Sequence, residues 1–289
     1  MRKLKANLYR LGLLRLAAFQ SRLDKRIDLN QISDDWFFDH FIFAPRVINK
    51  WTGTASNILD FGCGDGIMAL AMSLKHPAAS VTGVDLHDAF KYLAETAHSQ
   101  IKLDRLPTNL SFETITQGQS FPRKFDLAYS WSVFEHINRD EIPSVLRQIQ
   151  ACLVPGGRFF LQIAPLYFSP FGSHLQGVIS RPWAHLLLPE QELLSEIVGV
   201  DLQVFGKEFR NKAFELCSSD DFKQFLVREY LSLNRITTTE LLAMCEQAGF
   251  TVTQSFSRKT RLRVPTALLR ENSRENLTTV EIRLLLTVT

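Results

Sequence analysis

Cysteine is scarce in this chain, and long apolar runs are missing. Only four cysteines occur among 289 residues, and none has the C-x-x-C spacing of a zinc knuckle or a redox motif. Few, scattered cysteines favour a reducing compartment over a disulfide-bonded framework. No run of about 18 apolar residues exists, which disfavours a spanning helix, and no small-residue cleavage site follows the basic, leucine-rich N-terminus. The expected location is the cytoplasm.

A strong excess of charge is also lacking, since the net charge is +3. Residues 1–26 contain eight basic residues and one acidic residue, a net charge of +7, so the rest of the chain sums to −4. The body therefore offers little phosphate-binding surface, and no nucleic-acid partner is expected. As a helix, residues 1–26 would align three leucines, but Arg15 interrupts their stripe. A solvated or partner-capping helix is favoured, and a weak contact with a membrane surface or an acidic partner remains the alternative.

Strand-like and helix-like segments alternate through the middle of the chain, and this order predicts an α/β fold. Such alternation is typical of a parallel sheet covered by helices on both faces, with its ligand site at the carboxyl ends of the strands. The predicted strands are residues 57–61, 80–85, 110–116, 125–130, 158–164, 250–258 and 280–288, and the predicted helices are residues 67–75, 90–103, 141–152 and 238–249.

Four regions are predicted along the chain. Residues 1–54 hold the basic arm and a Phe-rich helical segment, which is either a core helix or a lid. Residues 55–165 form the core, and residues 237–289 return to it with the last helix and strands. Residues 166–236 break the alternation and are rich in aromatic side chains, as expected of an inserted cap.

The stretch ILDFGCGDG places three glycines at every second position after an apolar strand. This G-x-G-x-G spacing differs from the G-x-G-x-x-G of dinucleotide enzymes. Asp60 and Asp65 flank the turn, and carboxylates there would repel a pyrophosphate but suit a cationic ligand. Asp85 ends the next strand, where a carboxylate can accept both hydroxyls of a ribose. A cationic, ribose-bearing cofactor without phosphate fits S-adenosylmethionine.

Four segments in order make the chain resemble the class I S-adenosylmethionine-dependent methyltransferases. The resemblance implies a Rossmann-like, seven-stranded, mostly parallel sheet with an inserted cap between the fifth strand and the following helix. The segments are LDFGCGDG (residues 59–66), VD (84–85), FDLAYS with VFEHI (125–137), and LVPGG (153–157).

The resemblance also implies which residues hold the cofactor. The three glycines of the turn would approach the methionine and ribose parts of the cofactor. Asp60 would lie near the cofactor's amino group, and Asp85 would hold its ribose hydroxyls. An acidic residue that the family tends to place over the adenine amine is absent, and Gln117 is the substitute acceptor. The implied cofactor-binding set is Asp60, Gly62, Gly64, Gly66, Asp85, Gln117, Tyr129, Ser130 and Trp131.

Histidines are the candidates for a general base, which an alcohol acceptor needs because its proton must leave. His136 follows the fourth strand, and His174 and His185 lie in the inserted region. For each of them, a packed imidazole with a purely structural role is the alternative. Some relatives use Glu-x-x-Glu-His as metal ligands, but Ser132 replaces the first Glu here, so no metal is expected.

These observations predict an S-adenosylmethionine-dependent methyltransferase acting on a small-molecule, glycan or lipid-precursor acceptor, most readily at oxygen. Methylation of RNA or protein is the first alternative. A nicotinamide-dependent oxidoreductase and a non-catalytic cofactor-binding module are the others.

Overall fold

A seven-stranded sheet forms the centre of the protein, with strand order β3-β2-β1-β4-β5-β7-β6. The computed structural model describes residues 27, 29–119, 124–176, 178–200 and 219–288. The strands are β1 (Asn57–Phe61), β2 (Ser80–Asp85), β3 (Leu110–Thr114), β4 (Phe125–Trp131), β5 (Leu153–Ile163), β6 (Phe250–Lys259) and β7 (Thr279–Val288). Strands β1 to β5 pair in parallel, and β7 runs antiparallel to both β5 and β6. The predicted mostly parallel, Rossmann-like sheet is confirmed.

Helices cover both faces of this sheet. They are α1 (Asp35–Phe38), a π-helical turn (Asp39–Phe43), α2 (Ala44–Thr52), α3 (Ile67–Lys75), α4 (Leu93–Ile101), α5 (Ile142–Cys152), α6 (Ala184–Leu187), α7 (Glu190–Gly199), α8 (Ser219–Ser232), α9 (Thr238–Gln247) and α10 (Arg274–Thr278). Helices α5 and α9 pack on one face, and α2 and α3 pack on the other. The interior strand β1 is mostly apolar, since four of its five residues are buried between the two layers.

Local sequence explains where several elements begin and end. In α5, Ile142, Leu146 and Ile149 are spaced for one buried helical face. Helix α9 starts at a capping box, in which the Thr237 hydroxyl accepts from the Glu240 N–H at 3.3 Å and the Glu240 carboxylate accepts from the Thr237 N–H at 2.9 Å.

The start of β5 differs from the prediction. Residues 155–157 were expected to form a turn before a strand at Arg158, but the strand already begins at Leu153. Phe125 pairs with Leu153 and Leu127 pairs with Arg158, so the extra residues of β5 form a bulge. Gly156 supports this bulge with a φ of 72°.

The region predicted to be an inserted cap lies between β5 and α9, and its role as a cap stays a prediction. Its described part contains α6, α7 and α8, which share an apolar cluster with Tyr167 and Leu175. The basic segment 1–26 lies outside the described residues. No described helix is long and apolar enough to cross a membrane.

Candidate active site

The three glycines after β1 form a turn whose backbone only glycine adopts readily. Gly62, Gly64 and Gly66 have φ values of 77°, 53° and 78°, in the left-handed region that disfavours other residues. The N–H groups of Gly62 and Cys63 both donate to the carbonyl of Val84, at 2.9 and 3.0 Å. The turn is thereby attached to the end of β2 before the chain enters α3.

The glycines differ in what surrounds them. A Cβ atom on Gly62 would lie 2.5 Å from Val133, and one on Gly66 would lie 2.7 Å from the ring of Phe112. A Cβ atom on Gly64 would have no neighbour within 4 Å among the described residues. Packing therefore requires two of the glycines, whereas Gly64 presents bare backbone to open space.

Asp85 lies beside this open backbone at the end of β2. Its Oδ2 accepts from the Gly64 N–H at 2.9 Å, and its Oδ1 accepts from the His87 N–H at 3.0 Å. A carboxylate has about four acceptor sites, so each oxygen keeps one for a ligand. The carboxylate is thus oriented by the chain and can still accept two hydroxyl groups.

Asp60 lies beneath the turn and is buried. Burial raises the pKa of its carboxyl to about 8; the nearby Tyr129 hydroxyl lowers this pKa, and the charges of Asp85 and Asp65 raise it. Within the described chain, Oδ2 of Asp60 has no hydrogen-bond partner. A cation bound near the turn would lower this pKa and favour the ionised carboxylate.

The Phe-rich segment, which begins WFFDHFIF at residues 36–43, contacts the glycine turn through Trp36. The indole N–H of Trp36 donates to Oδ2 of Asp65 at 2.8 Å, and its ring stacks on His40 at 3.9 Å. Burial raises the pKa of Asp65, while the bond from Trp36 lowers it. Part of this segment therefore covers one flank of the turn, and its function as a lid stays a prediction.

The end of β4 brings three predicted cofactor residues to the same edge of the sheet. Tyr129 and Ser130 are completely buried, and neither the Tyr129 hydroxyl nor Oγ of Ser130 has a well-formed hydrogen bond within the described residues. Trp131 is only partly buried; it stacks on Phe160 at 6.3 Å, and the ring of Phe43 meets it edge-on at the same distance. Of the three, Trp131 has the surface that a ligand could touch.

The adenine side of the predicted site is less defined. Gln117 is exposed in the loop after β3, and its predicted role stays a prediction. Leu86 directly follows Asp85 and is 55% exposed although it is apolar. This residue was not predicted from the sequence; its position next to Asp85, the carboxylate predicted to hold a ribose, was the available signal for an apolar contact with a base.

Two of the three candidate histidines lie side by side. The rings of His136 and His174 lie 5.1 Å apart and nearly perpendicular. Nδ1 of His136 is 3.5 Å from Oε2 of Glu229 in α8. Burial lowers the pKa of His136 and lowers that of His174 to about 4. Both imidazoles are therefore neutral near pH 7.

His185 has a different environment. Its Nε2 lies 2.6 Å from the carbonyl oxygen of Tyr167, and its ring packs edge-on against the Tyr167 ring at 5.1 Å. Burial lowers the pKa of His185 to about 4. Its partners are those of an imidazole that holds the inserted region together, and its catalytic role stays a prediction.

Asn234 and Glu135 shape the turn that carries His136. The side-chain amide of Asn234 donates to the carbonyls of Phe134 at 2.6 Å and Ile137 at 2.7 Å. Burial raises the pKa of Glu135 to about 8, although the N–H groups of Glu135 and Ala164 lower it. The contacts of Asn234 with this turn were not predicted from the sequence, because Asn234 follows Glu135 by 99 positions. No group of three or more potential metal ligands is present in the described ranges.

A family model described as a methyltransferase domain matches residues 42–255, which is well over half of the chain. The chain belongs to this methyltransferase family. The match includes β1 to β5, the glycine turn and the inserted region, so all the residues discussed above from Asp60 to Asn234 lie within it.

Several proteins are similar to this member of the family. The ubiquinone biosynthesis O-methyltransferase of Pseudomonas syringae pv. tomato is 32% identical over 138 residues, covering 46% of this chain and 50% of that protein. The enzyme of the same description from Pseudomonas putida strain W619 is 26% identical over 133 residues, with the same coverages. The chain thus spans about half the length of the curated relatives it matches. A solved SAM-dependent methyltransferase of Methanosarcina mazei shares 17% identity and a TM-score of 0.48, covering 84% of this chain and 96% of that one.

Proposed function

We propose that this protein transfers a methyl group from S-adenosylmethionine to an oxygen atom of a small-molecule acceptor. The observation that carries the proposal is the pairing of Asp85 with the backbone of Gly64. It places an oriented carboxylate with two remaining acceptor sites beside bare backbone, at the carboxyl ends of β1 and β2. Family membership supports the transfer of a methyl group, and the O-methyltransferase names of the relatives support oxygen as its target.

The residues at this site fit the cofactor. Asp85 would accept the ribose hydroxyls, Gly64 would lie against the nucleoside, and exposed Leu86 would contact the adenine. Oδ2 of Asp60, which has no hydrogen-bond partner among the described residues, suits a ligand that carries positive charge. When bound, S-adenosylmethionine supplies a methyl group on a cationic sulfur, and the protein must align the acceptor with it and exclude water. The proposed location is the cytoplasm, since Cys63, Cys152 and Cys245 are buried and free.

Cofactor choice is the direct test of this proposal. We expect S-adenosylhomocysteine to bind the full-length protein in isothermal titration calorimetry, and NADH not to bind, because its pyrophosphate would lie near the carboxyl groups of Asp65 and Asp85 without a compensating cation. Incubation with methyl-labelled S-adenosylmethionine and a host metabolite extract should then label a small molecule. Binding of NADH alone would overturn the proposal, and label in RNA or protein would replace the acceptor class.

His136 is proposed as the general base, with His174 as its neighbour. Its pKa is lowered by burial, so the neutral form that accepts a proton predominates above pH 6.5. Because the pKa of His136 lies below the ordinary histidine value of 6.5, turnover of the labelled acceptor should be flat at and above that pH and fall only in more acidic solution. The variant His136→Asn should lose about 100-fold or more in kcat and no longer show the acid limb.

The matched control is His98→Asn, because His98 is exposed on α4 and pairs with Asp104. This variant should retain wild-type turnover and its pH profile. If His136→Asn stays within threefold of the wild type, positioning without a base is sufficient and His136 is structural.

A further inference from the structure

A row of cross-strand partners crosses four adjacent strands at the edge where the candidate site lies. Trp131 of β4 is in register with Gln162 of β5. Gln162 is in register with Arg283 of β7, and Arg283 with Phe256 of β6. Partners in register point to the same face of a sheet. The row therefore extends from the end of β4, beside the glycine turn, to the exposed strand β6.

A buried carboxylate organises the charges along this row. Oε1 of Glu281 accepts from Nε of Arg283 at 2.7 Å and from the amide of Gln162 at 3.2 Å. Its Oε2 accepts from Nε of Arg258 at 2.9 Å. Two guanidinium groups surround one carboxylate, so the cluster keeps a net charge of +1. The Nη nitrogens of both arginines donate no hydrogen bond to any residue that the structure describes.

Aromatic rings border these free donors. The guanidinium of Arg283 lies 5.9 Å from the ring centre of Trp131 and 5.1 Å from that of Phe256. Phe43 meets Trp131 edge-on, and Phe43 and Phe256 are 49% and 41% exposed. Large aromatic side chains with so much exposed surface beside free Arg donors are typical of a recognition site. Their combination suits a ligand with both a flat apolar part and an oxyanion.

We propose that this row binds the methyl acceptor, and that the acceptor carries a ring together with a carboxylate or phosphate group. Arg283 and Arg258 hold the oxyanion through their Nη donors, and Trp131 and Phe43 contact the ring from the β4 side. Phe256 borders the guanidinium of Arg283 from the β6 side. The inference rests on the proposed function only for the statement that the bound molecule is the methyl acceptor.

Matched small probes test the site without knowledge of the natural acceptor. Benzoate and phenyl phosphate are compared with the neutral benzamide and benzyl alcohol, by ligand-observed NMR titration of the full-length protein with S-adenosylhomocysteine. We expect the anionic probes to bind the wild type at least tenfold more tightly than the neutral ones. Arg258→Gln and Arg283→Gln should each reduce this preference at least threefold, and Arg283→Lys should restore part of it, since it keeps the charge but not the planar fork.

Arg105→Gln is the charge-matched control, because Arg105 is exposed just before β3 at the opposite edge of the sheet. It should keep the full preference. The Arg258 side chain is 55% exposed and that of Arg283 is 15% exposed. Because the more exposed side chain is easier to replace without loss of folding, Arg258→Gln alone is sufficient for the test if Arg283→Gln does not fold. Equal binding of anionic and neutral probes, or a preference that survives both substitutions, would overturn the inference.

Affinity for S-adenosylhomocysteine, measured on the same samples, separates this inference from the proposed function. Tight nucleoside binding without an anion preference refutes the acceptor site alone. Absence of nucleoside binding refutes the methyltransferase proposal, whereas an arginine-dependent preference for anionic rings would still demonstrate the oxyanion site.

Discussion

Replacing Asp85 by asparagine is expected to weaken binding of S-adenosylmethionine by about 100-fold or more. Both carboxylate oxygens of Asp85 accept from backbone N–H groups, those of Gly64 and His87. An asparagine amide has one acceptor oxygen and one donor group, so either orientation turns an NH₂ toward one of these N–H donors. The ribose hydroxyls would also lose charge-assisted bonds, each worth about 1.5–3 kcal/mol.

Calorimetric titration with S-adenosylhomocysteine measures this loss. The control is Asp88→Asn, because Asp88 is exposed three positions along the chain and pairs only with Lys91 in the described structure. Asp88→Asn should leave the affinity unchanged. An affinity of Asp85→Asn within threefold of the wild type would show that the ribose is bound elsewhere.

Alanine substitutions in the glycine turn should separate stability from binding. Gly62→Ala combines a φ of 77° with a Cβ atom 2.5 Å from Val133, and should lower the free energy of unfolding by about 2–4 kcal/mol. Gly64→Ala has a φ of 53° and no clash, so it should cost only about 1–2 kcal/mol. Its methyl group would nevertheless occupy the open space beside Asp85 and should weaken nucleoside binding at least tenfold.

Denaturant unfolding and calorimetry on the same two variants provide the comparison. The double variant Gly62→Ala with Val133→Ala should regain part of the lost stability, because the clash in Gly62→Ala is with the Val133 side chain. If Gly64→Ala binds S-adenosylhomocysteine as tightly as the wild type, the nucleoside does not lie against this turn.

Apart from the start of β5, the predicted strands and helices agree with the structure to within a few residues, because each depends on a local pattern. Short, mostly apolar runs such as ILDF and VTGV are typical of strands buried between two helical layers, and the Thr237 cap starts α9 where the pattern placed it. The bulge at Gly156 was not predicted, since the pairing of β4 with β5 decides it. A single proline-glycine pair is equally compatible with a turn.

Side-chain partnerships could not be predicted in the same way. The bond from Trp36 to Asp65 joins residues 29 positions apart, and the amide of Gln162 reaches Glu281 across 119 positions. From the sequence, His136, His174 and His185 were all candidates for a general base. Only their packing distinguishes the His136–His174 pair beside Glu229 from His185, which is bonded to Tyr167.

The amino-acid sequence by itself determined the order of strands and helices, the left-handed glycine turn and the presence of acidic side chains around it. Tertiary structure decided which of those acids is buried, which glycine is open to a ligand, and that two distant arginines share one carboxylate. The physical reason is the distance along the chain over which each effect acts. Backbone preference and apolar periodicity act over a few neighbouring residues. Burial, pKa and the supply of free donors depend on what the folded chain packs against each group.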